Sequence, residues 1–275
     1  MIIFYHNDPD GKCAAAIVYQ HYLANNMPLP KLVEMDYAKP VPIDIIEKDE
    51  PIWIVDFSFK LDIMQQVAQK TLNVTWIDHH ITAKDYGYNF KGLRDFTEKG
   101  LSGCELTWKY LYPKQSIPKA ISLIGDYDAW RLQMPGHFEF YEGLKLEDLS
   151  PTSKFWIEIF SKDIICNDII EQGKTSIKYR DNYCSNLSRG YGYETEIDGH
   201  KAYALNAFMF GSKMFGERFK QYPLCVGYIH NGNKFTVSLY SETIDVSVIA
   251  KNHGGGGHIG AAGFICDKLP FRRIG

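Results

Sequence analysis

The chain has 275 residues, 45% of them hydrophobic and 14% aromatic, a make-up that allows a large core and two domains. A formal net charge of -3 leaves no basic footprint, so wrapping of long duplex nucleic acid is not expected. Small anionic substrates stay open, because metal ions can supply positive charge locally. The six cysteines are scattered without a Cys-x-x-Cys pair, which argues against a zinc ribbon or disulfide framework. No apolar run approaches a membrane span and no leader pattern follows Met1, so the expectation is a cytoplasmic protein without a membrane partner.

Met1 to Tyr5 reads as a strand, followed by His6-Asn7-Asp8-Pro9-Asp10-Gly11 and a helix from about Lys12 to Asn25. One acidic residue would suffice as a helix cap. Here His6, Asp8 and Asp10 alternate, and in extended backbone alternate side chains point the same way. Lys31 to Asp36 is a second strand candidate and Ile43 to Glu47 a short helix. Ile52 to Val55 reads as a buried strand ending in Asp56, with a helix over Leu61 to Lys70. Val74 to Ile77 is another buried strand, ending in Asp78-His79-His80. Strands alternating with helices predict a parallel sheet with right-handed crossovers, whose carboxyl ends open onto a ligand crevice.

Helices are expected over Cys104 to Tyr112 and Pro118 to Ile124, the latter running into a turn that carries Asp126 and Asp128. Ser153 to Arg189 reads as helical, its later part a connecting helix. Gly190 to Tyr193 reads as a boundary. Beyond it come a strand over Lys201 to Leu205, a helix over Lys213 to Gln221 and a hairpin of Leu224 to Ile229 with Lys234 to Tyr240 around Asn231-Gly232-Asn233. A short helix over Val246 to Asn252 leads into Gly254 to Gly257 and His258. The expected fold class is α/β: an N-terminal parallel-sheet domain with flanking helices (1–190, including the connecting helix) and a smaller C-terminal α/β domain (191–275).

Asp8, Asp10, Asp56, His79 and Asp126 make an oxygen and nitrogen ligand set without thiolate. Such a set favours manganese or magnesium, with iron or cobalt as further fits. Five ligands suit two ions sharing a carboxylate, an arrangement fitted to phosphoester and phosphoanhydride hydrolysis. Four glycines before His258 permit close backbone approach, so that N–H groups can cradle an anion.

His6 to Gly11, Val55-Asp56, Asp78-His79-His80 and Gly125-Asp126 resemble the four motifs of the DHH phosphoesterase superfamily. Gly254 to His258, continued by Ile259 to Phe264, resembles the glycine-rich signature of its DHHA1 substrate domain. Each motif is weak alone; the five in order are specific, and the chain is most similar to the nanoRNase and oligoribonuclease branch. The resemblance implies two manganese ions, with magnesium or cobalt as substitutes. Their ligands would be drawn from His6, Asp8, Asp10, Asp56, His79 and Asp126, with Asp56 bridging. It implies that Asp78 holds His79, that His80 faces the scissile phosphate, and that Gly255, Gly256, Gly257 and His258 receive another part of the substrate. Three positions depart from the pattern: Lys12 fills the place of a second aspartate, Asp126 and Asp128 both offer a carboxylate, and Tyr240 stands where an arginine is often found.

The expected activity is hydrolysis of short oligonucleotides or small nucleotides: nanoRNA, linear or cyclic dinucleotides, or 3′-phosphoadenosine 5′-phosphate. A pyrophosphate or short polyphosphate hydrolase and a non-catalytic nucleotide-binding module are the alternatives. Oligomeric state stays open, a homodimer included.

Overall fold

A computed structural model describes residues 1–37 and 39–274; Ala38 and Gly275, the last residue of the expected C-terminal domain, lie outside them. The chain divides into two compact units, Met1–Ser176 and Ile177–Gly275. The division falls within a long helix, upstream of the boundary that the glycines at 190 and 192 suggest.

The first unit is built on four parallel strands, β1 (Ile2–His6), β2 (Lys31–Met35), β3 (Ile52–Val55) and β4 (Val74–Ile77), in spatial order β2-β1-β3-β4. Alternate residues along each strand face opposite sides of a sheet, and here both sides are core. Ile3, Tyr5, Trp53, Val55 and Ile77 join one cluster with Ala14, Ile17 and Val18 of α1 (Pro9–Ala24). Ile2, Phe4, Ile52, Ile54, Val74 and Trp76 join the other with Met64 and Val67 of α2 (Leu61–Lys70). Each large apolar side chain fully buried contributes about 1.5–3 kcal/mol. Burial on both faces therefore fixes the sheet, and the polar strand ends are left for chemistry.

The helices that follow are α3 (Gly103–Leu111), α4 (Lys119–Asp128), α5 (His137–Leu144), α6 (Lys154–Ser161) and α7 (Asp163–Tyr191). Three expectations change here. Pro9 opens α1 earlier than predicted, with Asp8 as N-cap accepting from Gly11 N at 2.9 Å. Asp10 thus stands on the first helical turn and not on extended backbone. Asp126 and Asp128 lie in the last turn of α4, not beyond it. The stretch from 153 to 189 is two helices, because Lys162 leaves helical geometry between them.

The second unit carries a six-stranded sheet, β5 (Tyr193–Ile197), β6 (His200–Leu205), β7 (Leu224–His230), β8 (Phe235–Tyr240), β9 (Gly256–His258) and β10 (Ala261–Cys266), ordered β5-β6-β7-β8-β10-β9. Only the β6–β7 pair is parallel among these pairings. The helix expected over 213–221 is a 3-10 turn (Gly211–Phe215) and one α turn, α8 (Arg218–Gln221), separated at Gly216, whose φ of 54° stops a helix. A last helix, α9 (Val246–Asn252), precedes the glycine run. Among the described residues no helix is long and apolar enough to cross a membrane.

Candidate metal centre

The strand order places a topological switch between β1 and β3, where the chain turns from building one side of the sheet to building the other. Open α/β sheets bind ligands outside the strands' carboxyl ends at such a point. His6 ends β1, Asp56 follows β3, and Asp78-His79-His80 follow β4. Asp56 has φ of 51°, a left-handed conformation that costs a non-glycine residue energy and collects at functional sites. Its N–H is held by Ile77 O at 2.9 Å. Gly103, at the start of α3, lies against Asp56; a Cβ there would come within 2.6 Å of Asp56 Oδ1. Only glycine lets this helix approach.

Three ligand groups converge: His6, Asp8 and Asp56; Asp56, His79 and His80; and Asp10, His79 and Asp128. His6 Nδ1 is 2.7 Å from Asp8 Oδ2 and 3.8 Å from Asp56 Oδ2. His79 Nε2 is 3.2 Å from Asp56 Oδ1, 3.2 Å from Asp128 Oδ2 and 3.9 Å from Asp10 Oδ2. Four of these buried atoms, His6 Nδ1, His79 Nε2 and both Asp56 oxygens, lack any hydrogen bond of sound geometry. Native proteins seldom leave buried polar atoms so, and an ion is one of the explanations. Lone pairs converging without bonds, from carboxylates and imidazoles, fit divalent cations. Asp56 and His79 each belong to two groups, which fits two neighbouring ions.

Around this centre other groups hold the ligands. The Asp10 carboxylate accepts from Ser102 Oγ at 2.8 Å, Gly103 N at 2.7 Å and Cys104 N at 3.1 Å, at the N-terminus of α3. Ser102 and Glu105 form a capping box, and Arg131 Nη2 reaches both Glu105 oxygens at 2.9 Å. Asp78 is fully buried. Its carboxylate accepts from Ser58 Oγ, from the backbone of His79 at 2.9 Å and from His80 Nδ1 at 2.7 Å; Trp76 Nε1 donates to Ser58 Oγ at 3.0 Å. Asp78 therefore orients the ring of His80, whereas the expectation had it holding His79.

The fourth motif needs a further correction. Asp126 belongs to none of the three groups and accepts from Gln133 N and Met134 N, each at 2.9 Å, with Arg131 Nε at 3.7 Å. It stabilises the chain after α4. Asp128 is the carboxylate that reaches His79. Sequence reading also passed over Ser102, Glu105 and Arg131, although Ser102-x-x-Glu105 is a legible capping signal.

Crowding leaves a clear electrostatic record. Burial, then the nearby Asp10, Asp8 and Asp128, pushes the Asp56 carboxyl well above its usual range. Burial and Asp10 likewise push Asp128 up to about 6. For His79, burial opposes the charge, but Asp128 and Asp10 overcome it and raise the imidazole to about 9. Asp8 is held low by His6 in spite of burial, and His6 is raised against burial by Asp8. The crowded carboxylates thus raise the cost of one another's charge.

In the second unit, Gly254 to Gly257 do not form a loose loop. Gly256–His258 pair with Ala261–Gly263 as β9 against β10. A Cβ on Gly255 would overlap the Gly263 carbonyl, and Gly257 has φ of 145°. Gly255, Gly256 and Gly257 line an open depression of 590 Å³ together with Ser238 and Tyr240, and His258 is exposed.

Known proteins resemble this chain in part of its sequence and in its fold. Residues 1–126 match the DHH family, N-terminal domain. An uncharacterised protein, R106, of Acanthamoeba polyphaga mimivirus is 26% identical over 243 residues that cover 82% of this chain; the chain spans 56% of that relative's length. A DHH domain from a protein described as belonging to a family of ribosomal proteins superposes with a TM-score of 0.55 at 15% identity, covering 96% of this chain and 82% of that one. The pGpG-specific phosphodiesterase PggH of Vibrio cholerae superposes with a TM-score of 0.54 at 11% identity, covering 97% and 94%.

Proposed function

Because residues 1–126 match the DHH family, N-terminal domain, we propose that the protein is a metal-dependent phosphodiesterase acting on short oligonucleotides or small nucleotides, with two manganese ions as its working metals. One observation carries the reading: three Asp/His groups are linked through Asp56 and His79, each a member of two, at the carboxyl edge of a parallel sheet, with four of their buried atoms unbonded. His6, Asp8 and Asp56 would hold one ion and Asp10, His79 and Asp128 the other, with Asp56 reaching both. Bound divalent ions polarise a phosphoryl oxygen and lower the pKa of water.

The chain's own groups do the rest. Asp78 occupies His80 Nδ1, so Nε2 is the ring nitrogen left to donate to a phosphate oxygen or move a proton. The Ser58, Trp76 and Asp78 chain fixes that ring before substrate arrives. Asp10, anchored on α3, keeps a ligand in position irrespective of the rest. The glycine depression of the second unit, with His258 next in the chain, would bind an anionic group, since backbone N–H groups suit one. The similarity in fold to a phosphodiesterase of a linear dinucleotide, over nearly the full length of both chains, supports small nucleotides as the class.

The test is a product analysis. With manganese, 5′-labelled dinucleotides, longer oligomers, cyclic dinucleotides and phosphoadenosine phosphate are each incubated with the protein. Mononucleotide release from the shortest substrates is expected. Activity undiminished after chelation and dialysis, or turnover of pyrophosphate alone, would overturn the reading.

A further inference from the structure

Beside the metal centre lies a feature that the catalytic reading does not use. Phe57 and Ser58 follow Asp56, and the ring of Phe57 is buried, 2% exposed, against Phe59 at 5.7 Å. Tyr37 stacks on Phe57 with centroids 4.4 Å apart and planes 24° from parallel. Tyr37 is itself 50% exposed. Its ring lies 5.4 Å from that of His6 and 5.9 Å from that of His80. An adjoining cavity of 290 Å³ is walled by Tyr37, Phe57, Phe59 and Val41, with Lys39 and Lys60 also lining it.

A half-exposed tyrosine with an aromatic ring beneath it is a rigid, flat surface. It touches both histidines at the edge of the metal centre, so a group resting on it is within one nucleoside's reach of a phosphate held there. The cavity is just below the roughly 300–1,000 Å³ of sites that take drug-sized ligands. It has room for one ring system and not for a dinucleotide. Every base offers a π-face, and base–aromatic stacking is sequence-tolerant. Tyrosine supplies such contact with little rotamer entropy to lose.

We propose that Tyr37, backed by Phe57, is the stacking platform for the nucleobase attached to the phosphate at the metal centre. The proposal rests on the phosphodiesterase reading and gives it a base subsite within the first unit. Tyr37 is then a binding residue that tolerates any base and rejects substrates lacking one. A phenylalanine in its place should serve, and an alanine should not.

The test compares affinity for adenosine 5′-monophosphate and ribose 5-phosphate, which share a phosphate and a sugar and differ in the base. Both are titrated calorimetrically into manganese-loaded wild type, Tyr37→Phe and Tyr37→Ala. Wild type is expected to bind the mononucleotide about tenfold or more tighter, within the span of base stacking. Tyr37→Phe should keep that ratio, and Tyr37→Ala should cut it at least fivefold with ribose 5-phosphate affinity unchanged. Equal binding of both ligands by wild type, or an unchanged ratio in Tyr37→Ala, would overturn the proposal. So would equal loss of both ligands in Tyr37→Ala, which would make Tyr37 a prop for His6 and His80. Binding is read without turnover, so a protein that stacks the base yet hydrolyses no phosphodiester would sink only the functional reading.

Discussion

Asp126 and Asp128 stand two residues apart, and alanine at each should produce opposite phenotypes. Asp126 is 1% exposed and satisfies two backbone donors, Gln133 N and Met134 N. Each of these part-buried donors left without a partner costs about 1–3 kcal/mol. Asp126→Ala should therefore lose roughly 2–6 kcal/mol, which at about 2–4 °C per kcal/mol for a unit of this size lowers Tm by about 4–24 °C. Asp128 has the reverse character. Burial and Asp10 raise its carboxyl to about 6, so its ionised form is held against a net cost in the metal-free protein. At pH 8 metal-free Asp128→Ala should melt no lower than wild type. It should fail, however, to gain the full stabilisation from manganese, and it should lose most turnover. Scanning calorimetry with and without manganese, beside dinucleotide hydrolysis, reads both. An Asp126→Ala protein that melts like wild type and has lost its metal would show that the two carboxylates have been exchanged in this account.

Asp56→Ala should abolish turnover while metal-free Tm holds or rises, since burial and four neighbouring carboxylates penalise its charge; a near-normal rate would refute its shared role. His79 gains a folded-state pKa of about 9, so its contribution to stability is full below its ordinary value and is lost as pH rises toward about 9. Asp128, raised to about 6, has the same sign at lower pH. A metal held by His79 would have to displace its proton, so the Tm gain on adding manganese should grow between about pH 6.5 and pH 9; a flat or shrinking gain in thermal melts would count against the site. His258→Ala should keep wild-type metal content by elemental analysis and lose more kcat/KM on a dinucleotide than on a small activated phosphodiester. Equal losses would deny the second unit a role in reading the substrate.

Much of this is legible without the fold, and the exceptions have physical causes. The runs ending at His6, Asp56 and Asp78 are apolar because both sheet faces are core, so abrupt polar ends stand out. Asp126 and Asp128 cannot be ranked that way. Residues two apart on a helix point about 200° from each other, and which side meets the crevice is decided by the packing of α4. Sequence proximity pairs Asp78 with His79, but the backbone after β4 brings the ring of His80 to it instead. β5 hides behind the glycines at 190 and 192 although Tyr193-Glu194-Thr195-Glu196-Ile197 alternates as a half-buried strand should. α5, at eight residues and entered through left-handed Gly136, is too short for a periodic signal.

The two aspartates nearest the centre are treated in opposite ways, and that contrast explains how the site is assembled. Asp10 receives three donors at a helix N-terminus, which fix its orientation. Asp56 receives none on either oxygen, sits on left-handed backbone, and is pushed toward its neutral form. Donating groups around Asp56 would have stabilised the protein, but they would also have competed with a cation for its lone pairs. Asp10 thus serves as a fixed post that needs no ion to stay in place, and Asp56 as the group whose strain an ion relieves. Metal binding should accordingly change hydrogen-exchange protection at Asp56 and Phe57 far more than at Gly103 and Cys104, whose N–H groups already hold Asp10. Equal changes at both places, or a change confined to the start of α3, would show that the strain is not where this argument puts it.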